Sequence, residues 1–225
     1  KNEIERIEFL ISSWDSNSET SSINQNAGIK PVKVSKELWD LIDRSQQISK
    51  ITSGAFDLTF AAVDRIWKFD GSDVEMPNAD LILASVTKIG YHQIQLNEKE
   101  STVFLPEKGM KIGFGAIGKG YAADRAKQLL MARGVVGGII NASGDMNTWG
   151  TQPDGSPWTI GIINPMNKEK VFSWFLLEHN AVVTSGNYEK FVRIGGKRYS
   201  HIIDPRTGIP SNGIISCTIF ATKAE

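Results

Sequence analysis

The chain has 225 residues, of which 40% are hydrophobic and 22% are charged, the usual composition of a globular protein with one large or two small domains. Its 25 basic residues balance 25 acidic residues, so we expect no nucleic-acid partner. No apolar run approaches the ~18 residues of a membrane-spanning helix. The single cysteine, Cys217, excludes an internal disulfide bond. The alternating residues around it predict a strand with a buried thiol.

Apolar residues at three- and four-residue spacing predict helices at three places in the first half of the chain. The first helix ends near residue 13. The second covers residues 35–50 and begins after Ser35, a residue type that accepts hydrogen bonds from the first N–H groups of a helix. A shorter helix is predicted over residues 79–88.

Between the first two helices, the polar residues 14–24 predict a loop that begins with an exposed aromatic side chain, Trp14. An aromatic residue in this place can stack on a flat ring. Further along the chain, Gly54 allows the backbone around it to approach a ligand closely. Asp57 is either a ligand contact or the cap of a helix that begins near Leu58, and the residue types leave both interpretations open.

The second half of the chain is richer in strand-like segments. Residues 91–105 and 191–199 each alternate around a turn, which predicts two hairpins. A buried strand is predicted over residues 135–141. Further strands are predicted over residues 157–163, 171–177 and 214–221. Many antiparallel strands beside a few helices indicate an α+β fold.

Residues 110–134 form the most informative stretch. A short apolar run predicts a strand that enters a glycine-rich turn, and a helix then continues to Gly134. The glycines of this turn are Gly113, Gly115, Gly118 and Gly120. A helix that begins at such a turn directs unpaired N–H groups and the positive end of its dipole toward the turn, which favours a phosphate group. Lys119 adds a positive charge there.

The same residues match the G-x-G-x-x-G pattern of dinucleotide-binding folds, with Asp145 near the position of the acidic residue that these folds use. A lone match is weak, and no clear second strand–helix–strand unit follows it. We therefore do not expect a Rossmann domain. A purely structural glycine turn remains an alternative.

Of the three histidines, His201 is the strongest candidate for chemistry. It lies three residues before Asp204, in a segment that Pro205 predicts to be a rigid turn. A histidine held beside a carboxylate is a candidate general base near neutral pH. His92 and His179 have ordinary surroundings. The sequence contains no Cys/His cluster with zinc-binding spacing, so candidate metal ligands are oxygens.

Five segments resemble the ApbE family, the FAD:protein FMN transferases, in their order and spacing. They are Thr52–Thr59, Gly115–Asp124, Asn141–Asp145, Thr184–Tyr188 and His201–Gly208. Five segments in register are far more specific than one glycine motif. The family was once named for thiamine biosynthesis. The resemblance implies a T-fold-like α+β architecture, mainly antiparallel sheet with packed helices, and we expect residues 1–225 to form a single flavin-transferase domain.

The resemblance implies that FAD is the donor substrate and Mg²⁺ the cofactor. A threonine hydroxyl of a partner flavoprotein would attack the phosphorus on the FMN side of the diphosphate, and AMP would leave. His201 would be the catalytic residue, and Ala116 would bind Mg²⁺ through its backbone carbonyl. The positions that match FAD-binding residues are Trp14, Ala55, Phe56, Asp57, Gly113, Lys119 and Ile203. Many members have an aspartate where this chain has Gly113, so that side-chain contact is missing here.

Two features of the family are absent from this sequence. Family members begin with a strand that would precede Lys1, and they continue beyond Glu225 with a helix that completes the Mg²⁺ site. We therefore expect this chain to lack both segments and to bind metal poorly. Because members are typically exported and lipid-anchored, the resemblance also implies the periplasm or the outer face of the cytoplasmic membrane, with a lipid anchor outside this chain.

Two other activities fit the same residues. Water could replace the threonine as the attacking group, which would make the protein an FAD pyrophosphatase that releases FMN and AMP. With an incomplete metal site, the protein could instead bind flavin without turnover. The sequence does not distinguish these activities from transfer to a protein.

Overall fold

The computed structural model of the chain describes residues 1–63, 66–67, 69–70, 72, 74–177, 181–187 and 190–225. They form two compact units. The helical unit consists of Glu5–Phe114 and Lys190–Asn212, and the sheet unit consists of Lys1–Ile4, Gly115–Glu189 and Gly213–Glu225. The expectation of a single domain over the whole chain stays a prediction. So do the expectations for His179 and Tyr188, which lie outside the described residues.

Helices dominate the first half of the chain and strands the second. The α-helices are α1 (Asn2–Ile11), α2 (Glu19–Gln25), α3 (Lys36–Ile51), α4 (Ala79–Val86) and α5 (Gly118–Ala132), and 3-10 helices cover Leu58–Val63 and Tyr91–Gln93. The strands are β1 (Val32–Lys33), β2 (Gln95–Asn97), β3 (Thr102–Phe104), β4 (Gly138–Ala142), β5 (Asp145–Trp149), β6 (Thr159–Asn164), β7 (Asn167–Leu176), β8 (Ala181–Gly186), β9 (Phe191–Ile194), β10 (Lys197–Ser200), β11 (Ile203–Asp204), β12 (Ile209–Pro210) and β13 (Ser216–Ala221). None of the helices in this described part of the chain combines the length and apolarity needed to cross a membrane.

The core of the helical unit forms around α3, whose apolar residues recur on one face. Ser35 caps this helix, because its hydroxyl accepts a hydrogen bond from the backbone N–H of Leu38 at 3.3 Å. This confirms the predicted start. Leu38 and Ile42 are fully buried, as is Val103 in the central strand of the small antiparallel sheet β1-β3-β2. Burial of one such side chain stabilises the fold by about 1.5–3 kcal/mol.

The loop predicted over residues 14–24 is wrong for its second half, which forms α2. Ser18 caps this helix by accepting a hydrogen bond from the backbone N–H of Ser21 at 2.9 Å. Thr20 is buried, and its hydroxyl donates to the carbonyl of Leu10 at 2.9 Å. The helix is held by its cap and by buried polar contacts, so it lacks the apolar periodicity from which a helix is predicted.

The strand predicted over the apolar run at residues 110–114 is wrong, because the run belongs to none of the sheets of the described residues, although Met110, Ile112 and Phe114 are buried. Instead, the side-chain amide of Asn24 accepts from the N–H of Ile112 at 2.8 Å and donates to its carbonyl at 3.0 Å. The N–H of Gly113 donates to the carbonyl of Leu58 at 3.0 Å. A side-chain amide has the same donor and acceptor as a peptide group, so Asn24 takes the place of a neighbouring strand.

A second apolar cluster lies under the hairpin β9–β10, which forms as predicted. Val192 of this hairpin is fully buried in a cluster with Val63, Trp67 and Ile82. The indole N–H of Trp67 donates to the carbonyl of Gly208 at 2.9 Å. The segment that follows the hairpin is therefore attached to the same cluster.

The sheet unit is built on an antiparallel sheet with strand order β13-β8-β5-β4, and α5 packs against β4 and β5. Gly134 follows α5 with a positive φ of 84°, as expected of a residue that ends a helix. The Rossmann alternative is excluded, because it requires a parallel sheet. Mixed helices and antiparallel sheets confirm the α+β class.

β4 differs from its prediction in position and burial. It covers Gly138–Ala142 rather than residues 135–141, and Val136 before it is 91% exposed. Side chains alternate between partly buried and exposed along both β4 and β13. Cys217 lies on the exposed face of β13, so the prediction of a buried thiol is wrong.

Two glycines of the glycine-rich turn, Gly115 and Gly120, test how closely the start of α5 packs against residue 224. A β-carbon at Gly120 would lie 1.8 Å from the carbonyl oxygen of Ala224, whereas one at Gly115 would meet nothing within 4 Å. We expect Gly120→Ala to destabilise the protein by about 1–3 kcal/mol, because backbone must move. Gly115→Ala is the control and should change stability by less than about 0.5 kcal/mol.

Chemical denaturation of both variants checks this expectation. Alanine is the better helix former, so Gly120→Ala would raise the stability if the space beside α5 were open. A more stable Gly120→Ala variant would therefore contradict the close approach of the two segments.

Candidate functional site

The helical unit contains a cavity of about 380 Å³ that is lined by one large aromatic side chain and several polar ones. Its lining consists of Ser13, Trp14, Ser16, Ser21, Asn24, Gln25, Ala61 and Lys111. The indole of Trp14 is 73% exposed, so a ligand can reach its face. An aromatic face surrounded by hydroxyl, amide and ammonium groups suits a flat heteroaromatic ring with polar edges.

Serine side chains hold the backbone around Trp14. The hydroxyl of Ser12 accepts hydrogen bonds from the N–H groups of Trp14 at 3.2 Å and Asp15 at 3.0 Å. The hydroxyl of Ser18 donates to the carbonyl of Ser12. These short-range bonds turn the chain between α1 and α2 and keep Trp14 at the cavity.

Gly113 adjoins the same cavity. A β-carbon at this position would lie 3.0 Å from the β-carbon of Ala61 and 3.8 Å from the hydroxyl of Ser13, and both of these residues line the cavity. The structure thus places Gly113, a predicted flavin-binding position, beside two of the residues that line the cavity with Trp14.

Both carboxylate oxygens of Asp57 accept hydrogen bonds from other residues of the protein. Oδ1 accepts from the N–H of Thr59 at 2.8 Å and from its hydroxyl at 2.6 Å, and Oδ2 accepts from the N–H of Tyr91 at 2.9 Å. The side chain is buried. Asp57 therefore caps the 3-10 helix Leu58–Val63 and connects it to the second 3-10 helix, so the capping alternative describes its side chain.

Ala55 and Phe56 belong to the tight turn between α3 and this 3-10 helix. The N–H of Ala55 donates to the carbonyl of Thr52 at 3.0 Å, and the N–H of Phe56 donates to the hydroxyl of Thr52 at 3.2 Å. Gly54 has a positive φ of 77°, a conformation that favours glycine. Ala55 is exposed and Phe56 is half-buried, so a ligand can reach this turn. The hydrogen bonds of the buried Asp57 keep the turn in place.

His201 follows β10 directly, and one carbonyl holds both its backbone and its ring. The carbonyl of Lys190 lies 3.1 Å from the backbone nitrogen of His201 and 3.2 Å from its Nδ1. Because a carbonyl only accepts, this contact requires a proton on Nδ1, and in the neutral ring the lone pair is then on Nε2. The exposed ring also meets Phe69 edge-on, with 6.4 Å between centroids. This tautomer allows Nε2 to accept a proton.

Asp204 does not serve as the partner of His201 that its spacing predicted. Its carboxylate accepts from Nε of Arg206 at 2.9 Å and from Nη2 at 2.8 Å, and also from the backbone N–H of Arg206 at 3.0 Å. These hydrogen bonds to Arg206 lower the pKa of Asp204 below its ordinary value. Asp204 stabilises the turn after His201, because the fork of an arginine two residues away binds a carboxylate better than an imidazole does.

Ile203 lies in β11, paired with Pro210 of β12. Its half-buried side chain packs against the cluster that contains Val192. The same cluster thus supports β9–β10 and β11, the two elements that flank His201.

In the sheet unit, Ala116 and Lys119 lie at the start of α5. Ile117, the N-cap residue, provides no side-chain hydrogen bond to the helix. The ammonium of Lys119 is 3.1 Å from Oδ2 of Asp145 and 3.4 Å from the carbonyl oxygen of Ser143. The first turn of α5 thus combines N–H groups that lack a side-chain cap with a positive side chain, a combination that attracts anions.

The metal-binding prediction rests on a single donor. Within the described residues, no group of three or more His, Cys, Asp or Glu side chains is placed to hold a metal ion. Ala116 is an exposed residue just before α5, and its backbone carbonyl is the one donor that the prediction names. Such an oxygen suits Mg²⁺, which completes its shell with water and phosphate oxygens.

Sequence reasoning missed three kinds of contact. The cavity residues Ser13 and Asn24 belong to segments without a distinctive pattern, and Lys111 lies in an apolar run that predicted only a strand. Lys190 acts through its backbone carbonyl, so its residue type gives no signal. Asp145 belongs to a family segment and to the dinucleotide-fold pattern, but neither pattern predicts its pairing with Lys119, which is 26 positions earlier in the sequence.

A model of the ApbE family matches residues 1–225 of the chain. The FAD:protein FMN transferase of Klebsiella pneumoniae (strain 342) is 33% identical over 223 residues, which cover 98% of this chain and 69% of that protein. The FAD:protein FMN transferase of Escherichia coli (strain K12) is 28% identical over 221 residues, which cover 96% of this chain and 63% of that protein. The chain thus spans about two thirds of the length of these curated relatives.

Solved structures give the same result. An ApbE protein of Thermotoga maritima superimposes with a TM-score of 0.90 at 33% identity, over 99% of this chain and 72% of that one. The flavin transferase ApbE of Vibrio cholerae superimposes with a TM-score of 0.86 at 26% identity, over 99% and 73% of the two chains. These comparisons confirm the family resemblance and the fold.

The bonds of Asp57 lead to a prediction about stability. Asp57→Ala should destabilise the protein by about 3 kcal/mol, because the N–H groups of Thr59 and Tyr91 lose a charged acceptor. Asp57→Asn keeps one acceptor oxygen and should be less destabilising. Urea denaturation of the two variants, together with FAD affinity measured below their melting temperatures, checks this. Full stability of Asp57→Ala with weakened FAD binding would show instead that the carboxylate serves the ligand.

Proposed function

Because the chain belongs to the ApbE family, we propose that it is an FAD:protein FMN transferase. It transfers FMN from FAD to a threonine hydroxyl of an acceptor flavoprotein and releases AMP, in a Mg²⁺-dependent reaction. The names of its relatives support this activity. The observation that carries the proposal is the orientation of His201, whose Nδ1 is fixed by the carbonyl of Lys190.

His201 acts as the general base. A hydroxyl is a poor nucleophile until a base takes its proton. Nε2 of His201 removes the proton from the threonine hydroxyl while its oxygen forms a bond to the phosphorus on the FMN side. The bond from that phosphorus to the bridging oxygen breaks, and AMP leaves with the electron pair. Since a single phosphorus–oxygen bond is exchanged, the protein contributes positioning and charge stabilisation more than covalent chemistry.

The flavin ring binds at the cavity of the helical unit. Trp14 stacks on the ring, and the hydroxyl groups of the lining and the amide of Gln25 bind its polar edges. Gly113 contributes its backbone, since it has no side chain to reach the ligand. Ala55, Phe56 and Ile203 complete the proposed FAD-binding set, and Asp57 contributes to it by holding the turn in place.

The diphosphate of FAD binds the first turn of α5, where Lys119 supplies a positive charge. Ala116 would hold Mg²⁺ through its carbonyl oxygen. The ion, when bound, neutralises charge on phosphate oxygens. The residues of this turn bind and orient the diphosphate.

The cellular location is a proposal from the family resemblance alone. We infer that the protein works in the periplasm or on the outer face of the cytoplasmic membrane, tethered by a lipid anchor outside this chain. Fractionation of cells that express the full-length protein, with and without globomycin to block lipoprotein processing, tests this. Recovery of all the protein in the cytoplasm would exclude the proposed location.

The activity itself is tested by incubating the full-length protein with FAD, Mg²⁺ and a threonine-bearing acceptor protein. Covalent flavin on the acceptor with an equal amount of AMP supports the proposal. Free FMN with AMP, and no labelled acceptor, would identify an FAD pyrophosphatase. Unchanged bound FAD would identify a flavin-binding protein without turnover. Omission of Mg²⁺ tests the metal requirement in the same assay.

The role of His201 predicts a separation of rate from binding. We expect His201→Ala to lose 10²–10⁴-fold in transfer rate, roughly the contribution of a positioned base, while FAD affinity stays the same. Asp204→Asn is the matched control, because Asp204 bonds to Arg206 rather than to His201, and it should keep most of the activity.

Rates across pH give a second readout of the same base. The wild-type rate should rise with pH through one ionisation as His201 loses its second proton, and the variant should lack this rise. A His201→Ala variant that keeps more than about a tenth of the wild-type rate would exclude a general base at this position.

A further inference from the structure

The segment 141–145 is one of the five that carry the family resemblance, yet the proposed chemistry gives it no role. We propose that Asp145 is a positioning residue, which holds the ammonium of Lys119 at the first turn of α5 for the phosphate groups of FAD. This inference rests on the proposed function. Asp145 acts through Lys119 and is not itself a ligand of FAD.

The two side chains of this ion pair differ in their exposure to solvent. The side chain of Asp145 is only 5% exposed, whereas that of Lys119 is 47% exposed, and their charged atoms are 3.1 Å apart. A buried carboxylate is costly without a positive partner, so it strongly favours the lysine conformers that reach it. The buried carboxylate of Asp145 thus holds the ammonium of Lys119, and the lysine side chain remains exposed enough for a ligand to reach it.

The hairpin turn between β4 and β5 fixes the acceptors around this ammonium. Ser143 and Gly144 both have positive φ, 55° and 98°. The N–H of Gly144 donates to the side-chain oxygen of Asn141 at 2.8 Å, which closes the turn. The carbonyl of Ser143 then lies 3.4 Å from the ammonium of Lys119, while the first residue of β5 supplies the carboxylate. We call the segment 141–145, which places these two acceptors beside one lysine, the cradle.

The number of donors on Lys119 fits this role. An ammonium group has three N–H donors. In the structure, one is directed to Asp145 and one to the carbonyl of Ser143. The third can donate to a phosphate oxygen without loss of the other two, so a ligand meets a lysine whose side chain is already ordered.

The charge of Asp145 gives the proposal a specific kinetic signature. Its removal leaves the site with one more positive charge, so an anionic ligand should bind as well as before or more tightly. Lys119 would lose its fixed position, however, and catalysis depends strongly on the position of charge near the reacting atoms. Loss of Asp145 should therefore lower the rate and not the affinity.

The test is a double-variant cycle of Asp145→Asn and Lys119→Met in the full-length protein. AMP release from FAD is followed with Mg²⁺ and N-acetylthreonine amide as the acceptor. We expect Asp145→Asn to lower kcat about tenfold or more, with an equal or lower KM for FAD. Lys119→Met should lower kcat and raise KM. The double variant should have the kcat of Lys119→Met alone, because no ammonium remains to be positioned.

Asp154→Asn is the matched control, since it removes one carboxylate from the same unit at an exposed turn that Asp154 forms with Ser156. It should leave kcat and KM unchanged. A merely structural role for Asp145 would lower its melting temperature and make the two kinetic losses multiply in the double variant. That result, or a kcat for Asp145→Asn within about twofold of the wild type, would overturn the proposal.

A result that excludes the proposed function can be distinguished from one that excludes only the role of Asp145. Wild-type protein that releases no AMP from FAD, with the acceptor protein or with N-acetylthreonine amide, would exclude that function. Equilibrium binding of FAD then tests the pair without turnover. Weaker binding in Lys119→Met but not in Asp145→Asn supports the cradle, and equal binding in both variants overturns it.

Discussion

A buried backbone N–H or carbonyl needs a hydrogen-bond partner, and in this protein buried or half-buried side chains supply it at the irregular segments that carry the proposed site. Asn24 bonds to both peptide groups of Ile112, and Asp57 bonds to the N–H groups of two 3-10 helices. Neither segment has a neighbouring strand in the described structure to take this role. Without these side chains, the segments would have to move toward water, and the residues they carry would move with them.

This constraint divides the polar residues of the site into two kinds. Some, such as Asp57 and Asn24, use all or most of their hydrogen-bonding capacity inside the protein. Others, such as Lys119, bond to the protein on one side and remain exposed on the other. The glycines divide similarly, because Gly120 is required by the close approach of Ala224 while Gly115 has open space around it. Residues of the same type in one motif can thus meet different structural requirements.

The features that the sequence predicted well are those with a local physical cause. Helix α3 follows from its apolar spacing and its serine cap, and the hairpin β9–β10 follows from alternation around two glycines. Helix α2 was not predicted, because its stability comes from buried hydroxyls rather than from an apolar face. Cys217 was placed on the wrong face, since alternation shows that a strand has two faces but not which of them packs against a neighbour.

For the site, the family resemblance supplied residue positions that local patterns alone did not. The hydrogen-bond partners of these residues were harder to predict than their positions in the sequence. Asp204 looked like the partner of His201 because the two are close in sequence, but an arginine two residues away competes for the same carboxylate. The actual partner is a backbone carbonyl of Lys190, and every residue type has one. No reading of side chains could have selected it.

The partners of His201 and Lys119 differ in a way that suits their proposed tasks. A base must give up its proton near neutral pH, and a neighbouring carboxylate would stabilise the protonated imidazole. A neutral carbonyl fixes the ring and its tautomer without adding that charge. A phosphate ligand needs a cation that stays in place, and the buried carboxylate of Asp145 favours the conformers of Lys119 that reach it. The neutral partner thus orients the base without adding a charge beside it, and the charged partner holds the cation in position.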